Sequence, residues 1–348
     1  MKTALNRTPA SFPVRRMDYN FEDTQRYWCN HEPSLTHYFT GLSTLFPEGE
    51  SYFVRSVRAL RAKAKENEIL DREIGAFIGQ EAMHSKEHHA FHVSAQQYGL
   101  NPESLEKATG IVLKAIEKVF SKKWNLLVTV GLEHYTAVLV VSMMQSVNEL
   151  MTDNTIRNLW LWHSVEETEH KAVAFDLYQH LYGNGLDAYI PRVGIFTFSL
   201  VLITAFSTIY HIVLMKRDKQ LTNFKTWRNF FNFASKQYKV LIPKFLEYYR
   251  FDFHPNQTDE KALVAATKVK LGINDRSLLL SYKNKAQDLG FIYIQRLSIY
   301  YVQLKIISHE TCCPRCTAPS LIKCTMTSFF RCHHSNIAHL LNWLFIWL

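Results

Sequence analysis

Two short stretches carry residues whose types and spacing could do chemistry. In FIGQEAMHSKEHHAFH, residues 77–92, Glu81 is followed three positions later by His84; in WLWHSVEETEHKAVAFDLY, residues 160–178, Glu167 is followed three positions later by His170. A three-residue step on an α-helix brings two side chains to nearly the same face. Each pair can therefore present a carboxylate and an imidazole to one metal ion. Upstream of each pair stands another Glu on an apolar helical stretch: Glu50 in FPEGESYFVRSVR and Glu133 in VTVGLEHYTAVLVV. Four carboxylates offset the charge of two divalent ions, and neutral imidazoles complete the shells. That balance suits iron, with manganese as the second choice, whereas zinc is expected more often with Cys or a His-rich set.

A lone Glu on an amphipathic helix is ordinarily solvated. Glu81, however, lies beside Phe77, Ile78 and Ala82, and Glu133 lies among Val128, Val130, Leu132, Val138 and Leu139. An unpaired buried carboxylate is costly, so one on each of four apolar helices calls for cations. His88 and His163 share the helical stripes of the two pairs and read as further ligands or as groups that orient the ligands. Glu166, Glu169, His89, His92 and His134 read as outer or surface groups. Glu169, turned well away from Glu167 on the helix, is expected to matter little.

The elements that must position these residues are helices. A helical pattern covers 21–45, and Pro47 opens a helix running to about Lys65. The helix bearing Glu81 ends near Gly99, and Asn101-Pro102-Glu103 starts a charged crossover helix to about Lys118. An apolar central helix follows over 124–150. Asp153 or Asn154 can cap the fourth helix, 156–182, which Gly183 and Gly185 stop. An aromatic helix pair broken at Pro243 is expected over 223–249. No strand alternation competes, so the chain reads as all-α. The order Glu, Glu-x-x-His, Glu, Glu-x-x-His on four long helices with one longer crossover matches the ligand set of ferritin-like di-metal carboxylate proteins. The expected fold is a ferritin-like four-helix bundle with additional C-terminal helices.

The domain reading is a lead-in over 1–20, a helical metal-binding domain over 21–266, and a Cys-containing tail over 267–348. The formal charge of +9 comes from scattered Lys and Arg with no nucleic-acid motif beside them, so nucleic acid is not an expected partner. Segment 193–215 has no Asp, Glu, Lys or Arg and is followed by Lys216-Arg217. Its length suffices for a membrane span, while Thr197, Ser199, Thr204, Ser207, Thr208 and His211 favour packing on the bundle. Only Cys29 among the six cysteines precedes the tail, which argues against a disulfide framework and for a reducing compartment. The N-terminus lacks the apolar run of a secretory signal. The expected location is the cytoplasm or the cytoplasmic side of the inner membrane. In the tail, Cys313-x-x-Cys316 with Cys324, Cys332, His333 and His334 could bind zinc. The tail's lack of helical periodicity and turn punctuation favours instead an extension foreign to the fold.

The stretches VRRMDYNFEDTQRYW, LSTLFPEGESYFVRSVR, FIGQEAMHSKEHHAFH, LEHYTA and WLWHSVEETEHKAVAFDLY resemble the bacterial family of predicted metal-dependent hydrolases, and FDFHP resembles that family's late Phe-His-Pro element. The likeness covers about residues 13 to 258. It implies a ferritin-like protein with Glu50, Glu81, His84, Glu133, Glu167 and His170 as ligands, and His88 and His163 as further motif histidines. Two chemistries fit such a site on a small-molecule substrate. In one, a metal-bound hydroxide attacks an ester, amide or phosphoester; in the other, two irons activate dioxygen to oxidise an apolar substrate. A third reading is non-enzymatic: metal storage, or a membrane-interaction protein with a structural metal site.

Overall fold

A computed structural model describes residues 11–273, and the tail's Cys and His residues lie outside it. The described residues form ten α-helices and no β-strand. α1 (Pro33–Ser43) leads through a two-residue turn into α2 (Phe46–Arg61), which has Pro47 in its first turn, where a missing N–H costs nothing. α3 (Glu68–Ala95) is capped by the Asn67 side chain accepting from Leu70 N, and the chain leaves it through Gly99 at φ 72°. α4 (Glu103–Val119) is the crossover to α5 (Lys122–Gln145). Asp153 caps α6 (Asn154–His170) by accepting from Ile156 N, and α7 (Val173–Tyr182) ends at Gly183. α8 (Leu186–Arg217), α9 (Phe224–Glu247) and α10 (Lys261–Lys270) complete the described chain.

Packing follows the apolar stripes. α2 lies along α3, α5 lies along α6, and the two pairs join through α2 with α5 and α3 with α6. α8 covers α1 and α5 with a stripe that includes Ile195, Phe196, Ser199, Ile203, Ser207 and Tyr210, a three-to-four-residue spacing. Its other face leaves Phe198, Val201, Ile209 and Ile212 exposed. α5 and α8 are both long and apolar enough to cross a membrane. For α5 the composition reflects burial in the core, since every residue from Asn125 to Thr136 is buried.

Three expectations need correction. The segment 21–32 is not helical. Asn30 and His31 have φ of 53° and 51°, and the backbone pairs with the turn after α5 through Asn30 N to Leu150 O at 2.6 Å and Thr152 N to Trp28 O at 2.8 Å. Those distant partners override local propensity, and Pro33 then starts α1. The expected helix 156–182 loosens at Lys171-Ala172, where the Lys171 ammonium pairs with Glu260 at 2.5 Å and the Thr258 carbonyl at 3.1 Å. Pro243, conversely, does not break α9. The carbonyl its ring leaves without a donor belongs to Lys239, an exposed residue that water can reach. α10 continues past 266, through Lys270.

Candidate metal centre

The helix pairs bring the candidate ligands together from four directions. α2 supplies Glu50, α3 Glu81 and His84, α5 Glu133, and α6 His163, Glu167 and His170; all are at most 2% exposed. His170 Nε2 is 3.0 Å from Glu81 Oε1, 3.5 Å from Glu167 Oε1 and 3.6 Å from Glu133 Oε2. His84 Nδ1 is 3.4 Å from Glu167 Oε1 and 3.8 Å from Glu81 Oε2. His163 Nε2 is 3.1 Å from Glu167 Oε1 and 3.8 Å from Glu50 Oε1. Three groups have donor atoms within 4.8 Å of one another and could hold a metal ion: Glu50, His84 and His163; Glu81, His84 and Glu167; Glu81, Glu133 and His170.

Donor chemistry at this point fits divalent cations. Glu50 Oε1, both oxygens of Glu81 and of Glu133, Glu167 Oε2, His84 Nδ1 and His170 Nε2 are buried without a hydrogen-bond partner. Polar atoms in such positions carry a large desolvation cost unless something charged sits among them. Among the described residues, protons are the substitute at hand. Burial pushes the Glu50 and Glu133 carboxyls well above the usual range, with neighbouring carboxylates adding to the rise. Burial disfavours the imidazolium of His170 and His84, but the surrounding carboxylates outweigh it and raise both well above the ordinary value. Metal ions would displace those protons on binding.

Each Glu-x-x-His imidazole is oriented by its other nitrogen. His84 Nε2 meets Glu166 Oε2 at 3.1 Å, which leaves Nδ1 facing the centre. His170 Nδ1 meets Gln80 Oε1 at 2.9 Å, which leaves Nε2 facing the centre. Behind them, Arg15 Nη1 donates to Glu166 at 3.0 Å and to Glu169 at 2.7 Å. Gln80 Nε2 donates to Glu169 at 3.1 Å and to the Pro13 carbonyl at 2.9 Å. Lys268 reaches Glu169 at 2.5 Å. Glu169 is therefore no idle surface acid, contrary to its turned-away position on the helix. The lead-in crosses this face of α3 closely. A Cβ on Gly79 would stand 2.6 Å from Val14 Cγ2, so a side chain there would push the exposed Val14 side chain aside.

The remaining histidines divide. His163 Nδ1 bonds His88 Nε2 at 2.7 Å, His88 Nδ1 bonds Ser43 Oγ at 2.7 Å, and Ser43 Oγ bonds His92 Nε2 at 2.7 Å. His92 Nδ1 closes on Glu106, whose other oxygen meets the exposed His89 at 2.9 Å. The result is one unbroken row of hydrogen bonds from the centre to the surface. His134, despite following Glu133, is buried elsewhere among Phe196, Tyr248 and Phe253, and burial lowers it to about 3. Arg15, Ser43, Gln80 and Glu106 were not legible as site residues. Gln80 alone carried a signal, standing next to Glu81 on an apolar helix.

Two apolar cavities reach the centre. One runs from Glu50 and Glu167 between α2, α4, α5 and α8. The other reaches His163 between α1, α5 and α9. Phe46 and Thr136 line both.

The sequence profile described as "predicted metal-dependent hydrolase" matches residues 13–259. The chain belongs to this family. In this member of the predicted metal-dependent hydrolases, the matched span includes all the buried Glu and His residues of the centre. No curated protein and no solved structure matches the chain.

Proposed function

We propose that the protein is a hydrolase of an ester, amide or phosphoester, with two divalent ions, iron in preference to manganese, held by Glu50, Glu81, His84, Glu133, Glu167 and His170. The supporting observation is the convergence of buried, unpartnered carboxylate and imidazole atoms in a predicted metal-dependent hydrolase. Divalent ions in such a site supply Lewis acidity and a hydroxide nucleophile at neutral pH. Glu81 and Glu167 each lie near both Glu-x-x-His imidazoles and would be shared by two ions held there. Glu166 and Gln80 set the tautomers of His84 and His170. Phe77 stands edge-on to the His170 ring at 4.9 Å and Trp162 edge-on to His84 at 4.9 Å, which keeps water from those ligands.

His163, which shares the Glu50–His84 group, is assigned the proton. In one polarity of the row, N–H and O–H groups all point outward: His163 to His88, His88 to Ser43, Ser43 to His92, His92 to Glu106. In the opposite polarity His163 Nε2 donates to Glu167 Oε1. The two differ by one proton moved between the Glu167 side and Glu106, beside solvent-exposed His89. The row thus holds or passes a proton without opening the centre to water.

Turnover of generic esters or phosphoesters under anaerobic conditions, lost on chelation and restored by iron or manganese, is the expected result, with about two ions per chain by elemental analysis. One zinc per chain and no anaerobic turnover would overturn the reading. A second reading, oxidation of an apolar substrate with dioxygen, is supported by the two apolar cavities; oxygen-dependent optical absorption after reduction would select it. The exposed apolar face of α8 supports attachment to a membrane surface. Recovery of the whole chain in the soluble fraction without detergent would exclude a span.

A further inference from the structure

The cavity between α2, α4, α5 and α8 differs from an ordinary packing defect in what its wall lacks. Phe53, Val112, Leu113, Leu132, Ile203 and Phe206 form most of it. The two threonine hydroxyls on the wall are already engaged: Thr109 with the Leu105 carbonyl at 3.1 Å and the Tyr210 hydroxyl at 3.0 Å, Thr136 with the Glu133 carbonyl at 3.0 Å. The unpartnered polar atoms on the wall are Glu50 Oε1 and Glu167 Oε2, both at the metal centre. At the other end Val112, Leu202 and Phe206 are half-buried, so the cavity opens between α4 and α8. Exposed Ile111, Val201 and Ile209 lie beside that mouth in sequence.

Gly49 adds an independent observation. It lies inside α2, where glycine is a poor helix former, and a Cβ built there would meet nothing within 4 Å. No neighbouring atom requires glycine at this position. Its smallness keeps the cavity clear one residue from Glu50.

We propose that this cavity binds an aliphatic chain carrying a small polar head, with the chain between α4 and α8 and the head at the Glu50–Glu167 face. The proposal rests on the hydrolase reading for the fate of the head. The chain's burial depends only on the apolar wall. A site lined this way offers no hydrogen bond along its length, so affinity comes from methylene burial and grows with chain length until the mouth is reached.

Displacement of a polarity-sensitive fluorescent dye from the purified full chain by 1-alkanols, hexanol to dodecanol, tests this with uncharged heads. Metal content is read on the same samples. Affinity should rise roughly fourfold for each added methylene. Gly49→Phe, which fills the space beside Glu50, should weaken the longer alkanols more than tenfold while its metal content matches the unsubstituted chain. Gly49→Ala should melt no lower than the unsubstituted chain and bind alkanols with a smaller loss. Affinity independent of chain length, or unchanged in Gly49→Phe, would overturn the proposal by placing the alkanols on the outer surface. If Gly49→Phe does not fold, Leu202→Trp at the mouth makes the same cut, and unchanged affinity there overturns it equally. Metal-loaded protein that ignores alkanols rejects the chain site alone. Metal-free protein that binds them by length rejects the metal reading alone.

Discussion

The two faces of the centre are built on opposite plans. On the lead-in face, His84 and His170 are backed by Glu166, Gln80, Glu169, Arg15 and Lys268, a polar network packed with little exposure. On the cavity face, Glu50 and Glu167 look into apolar space with one oxygen each unpartnered. The first face uses charge to hold ligands in fixed tautomers; the second leaves room beside them. A buried charge can be satisfied by neighbours or kept available for something that arrives, and this centre does one on each side.

The sharpest way to break the contrast is to remove a group common to both faces. Glu167→Ala should lose bound metal and reduce turnover to background, read by elemental analysis and by anaerobic ester hydrolysis. Glu169→Ala, on the lead-in side only, should keep metal but melt lower, because Arg15 and Lys268 lose a shared partner; about 2 kcal/mol is expected. Metal lost in Glu169→Ala and kept in Glu167→Ala would invert the assignment of the helix face.

Arg15→Ala tests the lead-in face by itself. It leaves Glu166 and Glu169 short of a cation in a buried setting, so stability should fall by about 3 kcal/mol. Metal affinity should drop on the order of 10- to 100-fold through a poorly held His84. Denaturant unfolding and metal titration check the two effects. Gly49→Ala, on the other face, should leave metal affinity where it was.

A further variant separates holding metal from moving protons. Ser43→Ala cuts the row between His88 and His92, and should reduce turnover on the order of 100-fold with metal content unchanged. Turnover equal to that of the unsubstituted protein would confine the row to a structural role.

The smallest effect lies at the outer end of the row. Burial opposes ionisation of Glu106, but its bonds from His92 and His89 prevail and hold the carboxyl below its ordinary value of 4.5. A carboxyl depressed on folding stabilises above that ordinary value and loses its contribution as pH falls through the folded one. Glu106→Gln should therefore melt lower at pH 7, by about 2 kcal/mol, and the gap should close as pH is lowered below that ordinary value of 4.5. A gap that widens toward acid would show that Glu106 is not ionised in the fold.

What the sequence determined by itself was local. Glu81 with His84 and Glu167 with His170 are legible because a three-residue helical step is a property of the chain alone, and Glu50 and Glu133 because apolar neighbours on one helix face announce burial. The all-α class follows from the same periodicity, and the profile match to residues 13–259 agrees with the motif order. The tertiary structure decided everything that joins distant segments. Segment 21–32 left the helical state because its backbone found Leu150 and Thr152. Arg15 reached Glu166 across 151 positions, and Ser43 met His88 and His92 only because the last residue of α1 comes to lie against α3. Local repeats carry no record of such contacts. They depend on which helices close on one another, and the chain reveals that only when it is folded.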